Sequence, residues 1–325
     1  MRGAPFRHNT PSLAAVPDTG TISSYADLLL PSPIVIMIQR ADRVELSVVI
    51  PVKNGLPWLR AQLQALTRQC CGLRWEIIVA DNGSDDGTGE LVKEFAAHDR
   101  RITLVDASEV TGAAATRNVG VRHARGPILA FCDADDVVHP GWVQSWVGAL
   151  ADADVAGGWF DNRSLNEVAP PSPVTLRPPP TRRQFGFLDA TGAGNMAVRR
   201  PAFDHVGGFD EEFAVGEDVD LCWRLQLAGY RFTLGEGAIS RREAPGLCAF
   251  FRRSIQFGRC GPALYERYRG AGLCAEPGAA LRSWLYLVAS MPKLFDPTFR
   301  RSWVRLVGWR VGRLFESCRR RVFYP

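Results

Sequence analysis

Residues 46–88 read LSVVIPVKNGLPWLRAQLQALTRQCCGLRWEIIVADNGSDDGT. Leu46–Val52 is a short, β-branched apolar run, the pattern of a strand buried on both faces. Lys53–Gly55 supplies a turn, Trp58–Leu66 has helical spacing, and Trp75–Ala80 is a second buried strand ending in the polar loop Asp81–Thr88. The alternation continues. Glu90–Ala97 reads as a helix, Ile102–Val105 as a strand, Ala113–Ala124 as a helix, and Ile128–Cys132 as a fourth strand running into Asp133–Asp136. Strands and helices at this spacing imply an α/β fold, a mostly parallel central sheet flanked by helices. Ligands of such sheets collect outside the C-terminal strand ends. Asn54, Asp81, Asp133 and Asp135 all gather there.

Outside this core the sequence changes character. Residues 1–44 are rich in Pro, Ser and Thr, and their apolar run Leu28–Ile38 is broken by Pro31 and Pro33. They read as a disordered extension rather than a signal peptide, with Met37 as an alternative start. Residues 45–245 form the α/β domain, in halves 45–136 and 137–245, and 246–325 a helical C-terminal region. Pro170–Pro180 (PPSPVTLRPPP) excludes a helix or a central strand, because proline lacks the donor N–H. Val219–Ala228 reads as a helix ended by Gly229. Residues 156–194 and 234–280 read as variable loops.

With 46% hydrophobic and 22% charged residues the chain can bury a substantial core, which excludes wholesale disorder. Eight cysteines contain no CxxC pair and no zinc-type spacing, which points to reduced thiols in a cytosol. No stretch reaches ~18 uninterrupted apolar residues, the length a spanning helix needs. The net charge of +5 is uneven. Residues 281–325 hold ten Lys/Arg against two Asp/Glu, a net of +8, so residues 1–280 carry −3. That balance excludes a globally basic nucleic-acid binder and describes a near-neutral body with a basic tail. Within the tail, Arg301–Cys318 suits an amphipathic helix at about 100° per residue. Trp303, Val304, Val307, Val311, Leu314, Phe315 and Cys318 share one side, with Arg301, Arg305, Arg313, Arg319 and Arg320 opposite. Such a helix either packs on the protein's own body or attaches to an anionic membrane surface through 296–325, on the inner face of a membrane.

The acidic residues suggest chemistry. Asp133 and Asp135, one residue apart on chain that has just left a sheet, can point into one pocket and hold Mn²⁺ or Mg²⁺ with phosphate oxygens and water. An isolated DxD is equally a solvated turn. Its place after ILAFC (128–132), with Asp81 at a parallel strand end, favours the metal. Asp81 can accept a pyrimidine N–H, while Asp85 or Asp86 caps the following helix. Glu217, Asp218 and Asp220 open a helix, where acids oppose the helix dipole. A carboxylate there can also serve as a general base. Arg117 and Asn118 begin a helix beside the pocket, where Arg117 can contact a diphosphate or simply face solvent.

Taken in order, SVVIPVKNG (47–55), IIVADNGSDDGT (77–88), ATRNVGVRHARGPILAFCDADD (115–136), GNMAVRRPAFDHVGGFDEEF (194–213) and GEDVDLCWRLQLAGYRF (216–232) resemble a family 2 glycosyltransferase with the GT-A fold. The resemblance spans roughly Leu46 to Phe232. It implies sugar transfer from a nucleotide-activated donor, UDP-, GDP- or dTDP-linked, to a hydroxyl of a glycan or lipid-linked acceptor, commonly with inversion, as in cell-envelope synthesis. Carried over by position, Pro51, Val52 and Asn54 would line the nucleotide pocket and Asp81 would hold the base. Asp133 would take the ribose or a metal-bound water, and Asp135 the metal. Asp218 would be the base, assisted by Glu217, with Gly194 and Asn195 near donor sugar and acceptor. One departure stands out. Many relatives carry a metal-binding histidine after the strand that follows the GED helix, whereas LGEGAISRRE (234–243) has none and offers Arg241 and Arg242.

Three rivals are weaker. A nicotinamide dehydrogenase needs GxGxxG after a strand, and Lys53-Asn54-Gly55-Leu56-Pro57 is no such turn. A sugar-nucleotide pyrophosphorylase needs a Gly- and Arg-rich loop after the first strand, also absent. A catalytically inactive, membrane-associated scaffold relative is the rival of another class. Intact Asp81, Asp133, Asp135 and Asp218 oppose it, and the missing histidine favours it.

Overall fold

In the computed structural model, which describes residues 43–166, 183–244, 246–275 and 277–324, the four expected strands lie side by side. They are β1 (Leu46–Val52), β2 (Trp75–Asp81), β3 (Ile102–Asp106) and β4 (Ile128–Cys132). Between them run α1 (Leu56–Thr67), α2 (Thr88–His98) and α3 (Ala113–His123). β1 pairs in parallel with both β2 and β4, Val52 opposite Asp81 and Val49 opposite Phe131. Leu46, Val48, Val49 and Ile50 are fully buried. That is why the run lacks alternation: both faces of the sheet are covered, so the positions are apolar except Ser47, whose buried hydroxyl donates to Glu76 Oε1 at 2.7 Å.

The second half turns the sheet mixed. After β5 (Val137–Val138) and α4 (Trp142–Ala149) come β6 (Val155–Asp161), the hairpin strands β7 (Arg183–Gln184) and β8 (Leu188–Asp189), and β9 (Asn195–Arg199). α5 (Arg200–His205), α6 (Glu217–Leu227) and β10 (Phe232–Ser240) follow. The eight-stranded order is β3-β2-β1-β4-β9-β6-β10-β5. β9 runs antiparallel to both β4 and β6, placing Asn195 opposite Cys132. An antiparallel strand reaches the strand ends from the other side, so Gly194 meets the loop that leaves β4.

Residues 246–268 open the helical C-terminal region as the helix α7 (Gly246–Tyr268), which tolerates Pro262, although the sequence of 234–280 also reads as variable loop. α8 (Pro277–Ala289) and α9 (Pro297–Arg320) complete the C-terminal region. α7 and α9 run parallel in close contact. A Cβ on Gly308 would lie 2.6 Å from Ser254 Cβ, and one on Gly312 would strike the Ile255 carbonyl. The basic, glycine-bearing side of α9 is therefore the packed one. Arg301 and Arg305 both pair with Glu243, and Arg259 and Arg320 with Glu316. The apolar side stays outside, with Val311, Leu314 and Phe315 exposed. α8 likewise exposes Leu281, Leu285 and Val288.

The described residues from Val44 onward form one compact unit. The expectations for 1–42, including Met37, and for the proline-rich 170–180 lie outside the described residues. Among the described residues no helix is long and apolar enough to cross a membrane. All eight cysteines are free thiols.

Candidate active site

The loop leaving β4 carries three carboxylates, Asp133, Asp135 and Asp136, with ligand oxygens within 4.8 Å of one another. Like charges this close oppose each other's ionisation. Burial, reinforced by Asp133, holds the Asp135 carboxyl above its usual range. Asp136 is pushed up to about 8 by burial and by both neighbours. Its Oδ1 accepts the Arg242 N–H at 2.8 Å. A divalent cation is the natural remedy for such a cluster, and an all-oxygen donor set suits Mg²⁺ or Mn²⁺. Asp136 was not singled out in the sequence; its signal was adjacency, the fourth residue of DADD.

Beside this triad stands the start of α6. Asp218 Oδ2 accepts the Ala193 N–H at 3.1 Å, and Oδ1 accepts its neighbour Val219 N–H at 2.8 Å. Burial still raises its carboxyl above the ordinary value. Glu217 is raised to about 7, by burial first and then by Asp218. Arg117, from α3, joins the two acidic groups: Nη2 donates to Asp133 at 2.8 Å and Nη1 to Glu217 at 2.9 Å. Its side chain is only 5% exposed. The guanidinium is a bracket between strand end and helix start. Its Nε is buried without a hydrogen-bond partner among the described residues.

These groups wall one end of a cavity of about 860 Å³ lined by Arg117, Asp133, Gly194, Glu217 and Asp218. Gly194 is required by closeness, since a Cβ there would sit 2.6 Å from Asp133 Oδ2. The far wall comes from the C-terminal helices through Phe250, Arg253, Phe257, Arg305 and Trp309. Arg253 Nη1 lies 4.0 Å from Asp135 Oδ2. Residues 246–325 thus help build the cavity, which sequence reasoning missed because α7 carries no motif.

The remaining expected residues fall into two groups. Asp81, Asn54, Val52 and Pro51 lie at the ends of β1 and β2, outside the lining of that cavity. Asp81 Oδ1 accepts the Ser84 N–H and hydroxyl at 3.0 and 2.6 Å. Asn54, at φ +54°, accepts the Asp85 N–H at 3.0 Å, and its own N–H donates to Ser84 Oγ at 2.8 Å. Asp86 accepts the Thr88 N–H at 3.0 Å from the position before the helix's N-cap, which is Gly87 rather than the expected Asp85 or Asp86. Asn195 is placed differently from the expectation. It is fully buried, accepting from Trp142 Nε1 at 2.8 Å and donating to the carbonyls of Trp159 and Gly237 at 2.8 and 3.0 Å. Its side chain locks β9 to β6 and β10, and Gly194 alone of the pair faces the cavity. Of the two arginines after β10, Arg242 is tied to the Asp135–Asp136 loop, its Nε donating to the Asp135 carbonyl at 3.2 Å. Arg241 lies over the Phe160 ring, 5.2 Å from its centroid.

Comparison with known proteins gives this geometry its relatives. The profile of Glycosyl transferase family 2 matches residues 47–207, and that of Glycosyl transferase family group 2 matches 190–292. Together they run from β1 through α8. The chain is 27% identical over 220 residues to glycosyltransferase AglE of Haloferax volcanii, covering 66% of this chain and 71% of that protein. It is 32% identical over 258 residues to the pre-mycofactocin glycosyltransferase of Mycobacterium tuberculosis, covering 75% and 52%. It is 33% identical over 225 residues to validoxylamine A glucosyltransferase of Streptomyces hygroscopicus, covering 58% and 53%. The chain therefore spans about half the length of the latter two. Among solved structures, the mannosyltransferase PcManGT of Pyrobaculum calidifontis, in complex with GDP-Man and Mn²⁺, superposes with a TM-score of 0.59 at 19% identity, covering 84% of this chain and 88% of that one. S. aureus TarS 1–349 in complex with UDP-GlcNAc gives 0.50 at 16% identity, covering 87% and 93%. The shared fold is GT-A.

Proposed function

The chain belongs to glycosyl transferase family 2, and on that premise we propose that it moves a sugar from a nucleotide-diphosphate donor to an acceptor hydroxyl, with inversion, in a single displacement. The observation that carries this reading is the Asp218 carboxylate, half-buried and lining the same cavity as Asp133, one of the three carboxylates of the metal-type triad. The acceptor oxygen attacks the anomeric carbon as the bond from that carbon to the diphosphate oxygen breaks. The hydroxyl proton passes to Asp218, and the nucleoside diphosphate leaves with the bonding electrons.

Each neighbouring residue has a part in that step. Two backbone N–H groups orient the Asp218 oxygens, and burial raises its proton affinity toward that of a useful base. Arg117 fixes Glu217 and Asp133 in one frame, so the base and the acidic loop keep their spacing. Asp81 and Asn54, at the ends of β1 and β2, are suited to the donor's base and ribose. A divalent cation held by Asp133, Asp135 and Asp136 would neutralise charge on the departing diphosphate.

UDP-, GDP- and dTDP-sugars are the donors to screen, with glycan or lipid-linked acceptors of the cell envelope. The +8 charge of residues 281–325 and the apolar residues exposed on α8 and α9 support a cytoplasmic protein resting on an anionic membrane face.

The test is Mn²⁺-dependent hydrolysis or transfer from a UDP- or GDP-sugar. Asp218→Asn is expected to lower kcat by about 10²–10⁴ while nucleotide and Mn²⁺ still raise its melting temperature. Turnover that survives in Asp218→Asn removes the base assignment. No turnover with any donor, alongside intact nucleotide binding, would favour the scaffold relative.

A further inference from the structure

α8 is apolar on the side it shows to solvent. At about 100° per residue, Leu281, Leu285 and Val288 fall within about 60° of one another. All three are exposed, Val288 at 67%. The opposite side is the packed one. Ala280 and Leu287 are buried, and the Leu287 carbonyl accepts the indole N–H of Trp303 from α9 at 3.0 Å. The exposed row continues into the 3₁₀ turn Met291–Phe295, where Met291 is exposed and Phe295 is 94% exposed. Soluble chains seldom leave a run of large apolar side chains in water without a partner for it.

The charges beside this ridge say which partner. Residues 277–300 carry Arg282, Lys293 and Arg300 against one acid, Asp296. All three cations are exposed, and none has a carboxylate partner among the described residues. The cations of α9 differ: Arg301 and Arg305 are held by Glu243, and Arg319 and Arg320 by Glu316. A second copy of the chain on this ridge would bring like charges together, which repel. A surface apolar within and anionic at its edge complements both features, and an anionic lipid monolayer is such a surface. The length of α8 agrees. Its 13 residues span about 20 Å, short of the ~30 Å hydrocarbon core, so the helix lies along a bilayer rather than across it.

Resting on the membrane reading of residues 281–325, we propose that α8 and the turn Met291–Phe295 are the element that enters an anionic bilayer. Leu281, Leu285, Val288 and Phe295 lie among the acyl chains, and Arg282, Lys293 and Arg300 meet the lipid phosphates. α9, whose sequence is the more visibly amphipathic, is the support for this anchor. Its Val311 and Leu314 are only 38% and 43% exposed, and Arg259 lies over the Phe315 ring, 5.4 Å from its centroid.

Co-sedimentation of the full chain with vesicles is the test, using phosphatidylglycerol mixed with phosphatidylcholine, and phosphatidylcholine alone. The wild type should bind the anionic vesicles, lose most of that binding as salt is raised, and bind the neutral ones weakly. Leu285→Ser and Phe295→Ser should each lower partitioning into anionic vesicles by about tenfold or more, the transfer of one large apolar side chain. Both side chains are exposed, so an unchanged melting temperature is the check on folding. Arg282→Gln combined with Lys293→Gln should weaken binding to the anionic vesicles alone, and Leu314→Ser should matter less than either α8 variant. Binding that survives in Leu285→Ser and Phe295→Ser but is lost in Leu314→Ser would keep the membrane reading and overturn the assignment to α8. A wild type that binds neither vesicle overturns both. Equal binding to the two vesicles overturns the role of the cations. A wild-type dimer that Leu285→Ser separates would give the ridge to a second copy and overturn the proposal. Sugar-nucleotide turnover without vesicles should be the same in all these variants, and its absence in the wild type is a separate failure, that of the transferase reading.

Discussion

Neutralising Glu217 should change how stability depends on pH, by an amount the site geometry sets. The Glu217 carboxyl ionises near 4.5 in the unfolded chain and at about 7 in the folded one, because burial and Asp218 disfavour its charge. Between those values the folded protein holds a proton that the unfolded chain has released. Stability is therefore fully present below pH 4.5, falls as pH rises through the interval, and levels off above 7. At 1.36 kcal/mol per pKa unit, the loss is about 3 kcal/mol. In Glu217→Gln this contribution is gone, while Arg117 can still donate to an amide oxygen. Asp135, Asp136 and Asp218 also titrate upward and tilt the wild-type curve the same way. The informative quantity is thus the difference between variant and wild type. Urea unfolding without metal, at pH steps from 4.5 to 8, should show the variant gaining about 3 kcal/mol relative to wild type, nearly all of it by pH 7.5. A difference that stays flat with pH would refute the claim that Glu217 is held protonated by its surroundings.

Two further perturbations probe the frame around the site. Arg117→Met leaves Glu217 and Asp133 without their shared cation, and breaking a buried pair in this way should destabilise the protein by about 3–5 kcal/mol in urea unfolding at pH 7.5; a cost under about 1 kcal/mol, the value of an exposed pair, would mean that Arg117 is not a bracket. Gly312→Ala puts a methyl against the Ile255 carbonyl and should cost about 1–3 kcal/mol by overpacking; a variant as stable as wild type would show that α7 and α9 do not pack as described.

Legibility of the sequence followed burial. Leu46–Val52 and Ile128–Cys132 appear as strands with the bounds read from the sequence, because strands covered on both faces are nearly continuous apolar runs, with Ser47 the one polar residue in the two. β6 (VAGGWFD) and β9 (NMAVR) gave no such signal: two glycines weaken the first, and the second has only three apolar residues between Asn195 and Arg199. Asp133, Asp135, Glu217 and Asp218 were readable because strand ends and helix starts fix where they point. Asn195 was not. Whether an asparagine faces ligand or core depends on Trp142, Trp159 and Gly237, which come from other parts of the chain. The direction of α9 was hidden for a similar reason. Its apolar side suggested the packed face, but Gly308 and Gly312 let the opposite side approach α7 more closely than any bulky residue would.

That inversion bears on how the C-terminal region works. A helix that docked by its apolar side would turn its arginines to solvent. Docked by its glycines, α9 brings Arg305 and Trp309 to the cavity and leaves Val311, Leu314 and Phe315 outside. Arg305 and Arg301 are then neutralised together by Glu243, three residues beyond the end of β10. This ties the helix to the strand that also carries Arg241 and Arg242 at its end. The acidic loop after β4 is reached from the same two sides, by Arg242 from β10 and by Arg253 from α7. Removing the C-terminal helices would therefore take away more than a surface attachment. It would open the cavity opposite Asp218 and strip Asp135 of the cation beside it. A truncation after residue 245 that kept full transfer to an acceptor would contradict this coupling, whereas one that kept nucleotide binding and lost transfer would follow from it.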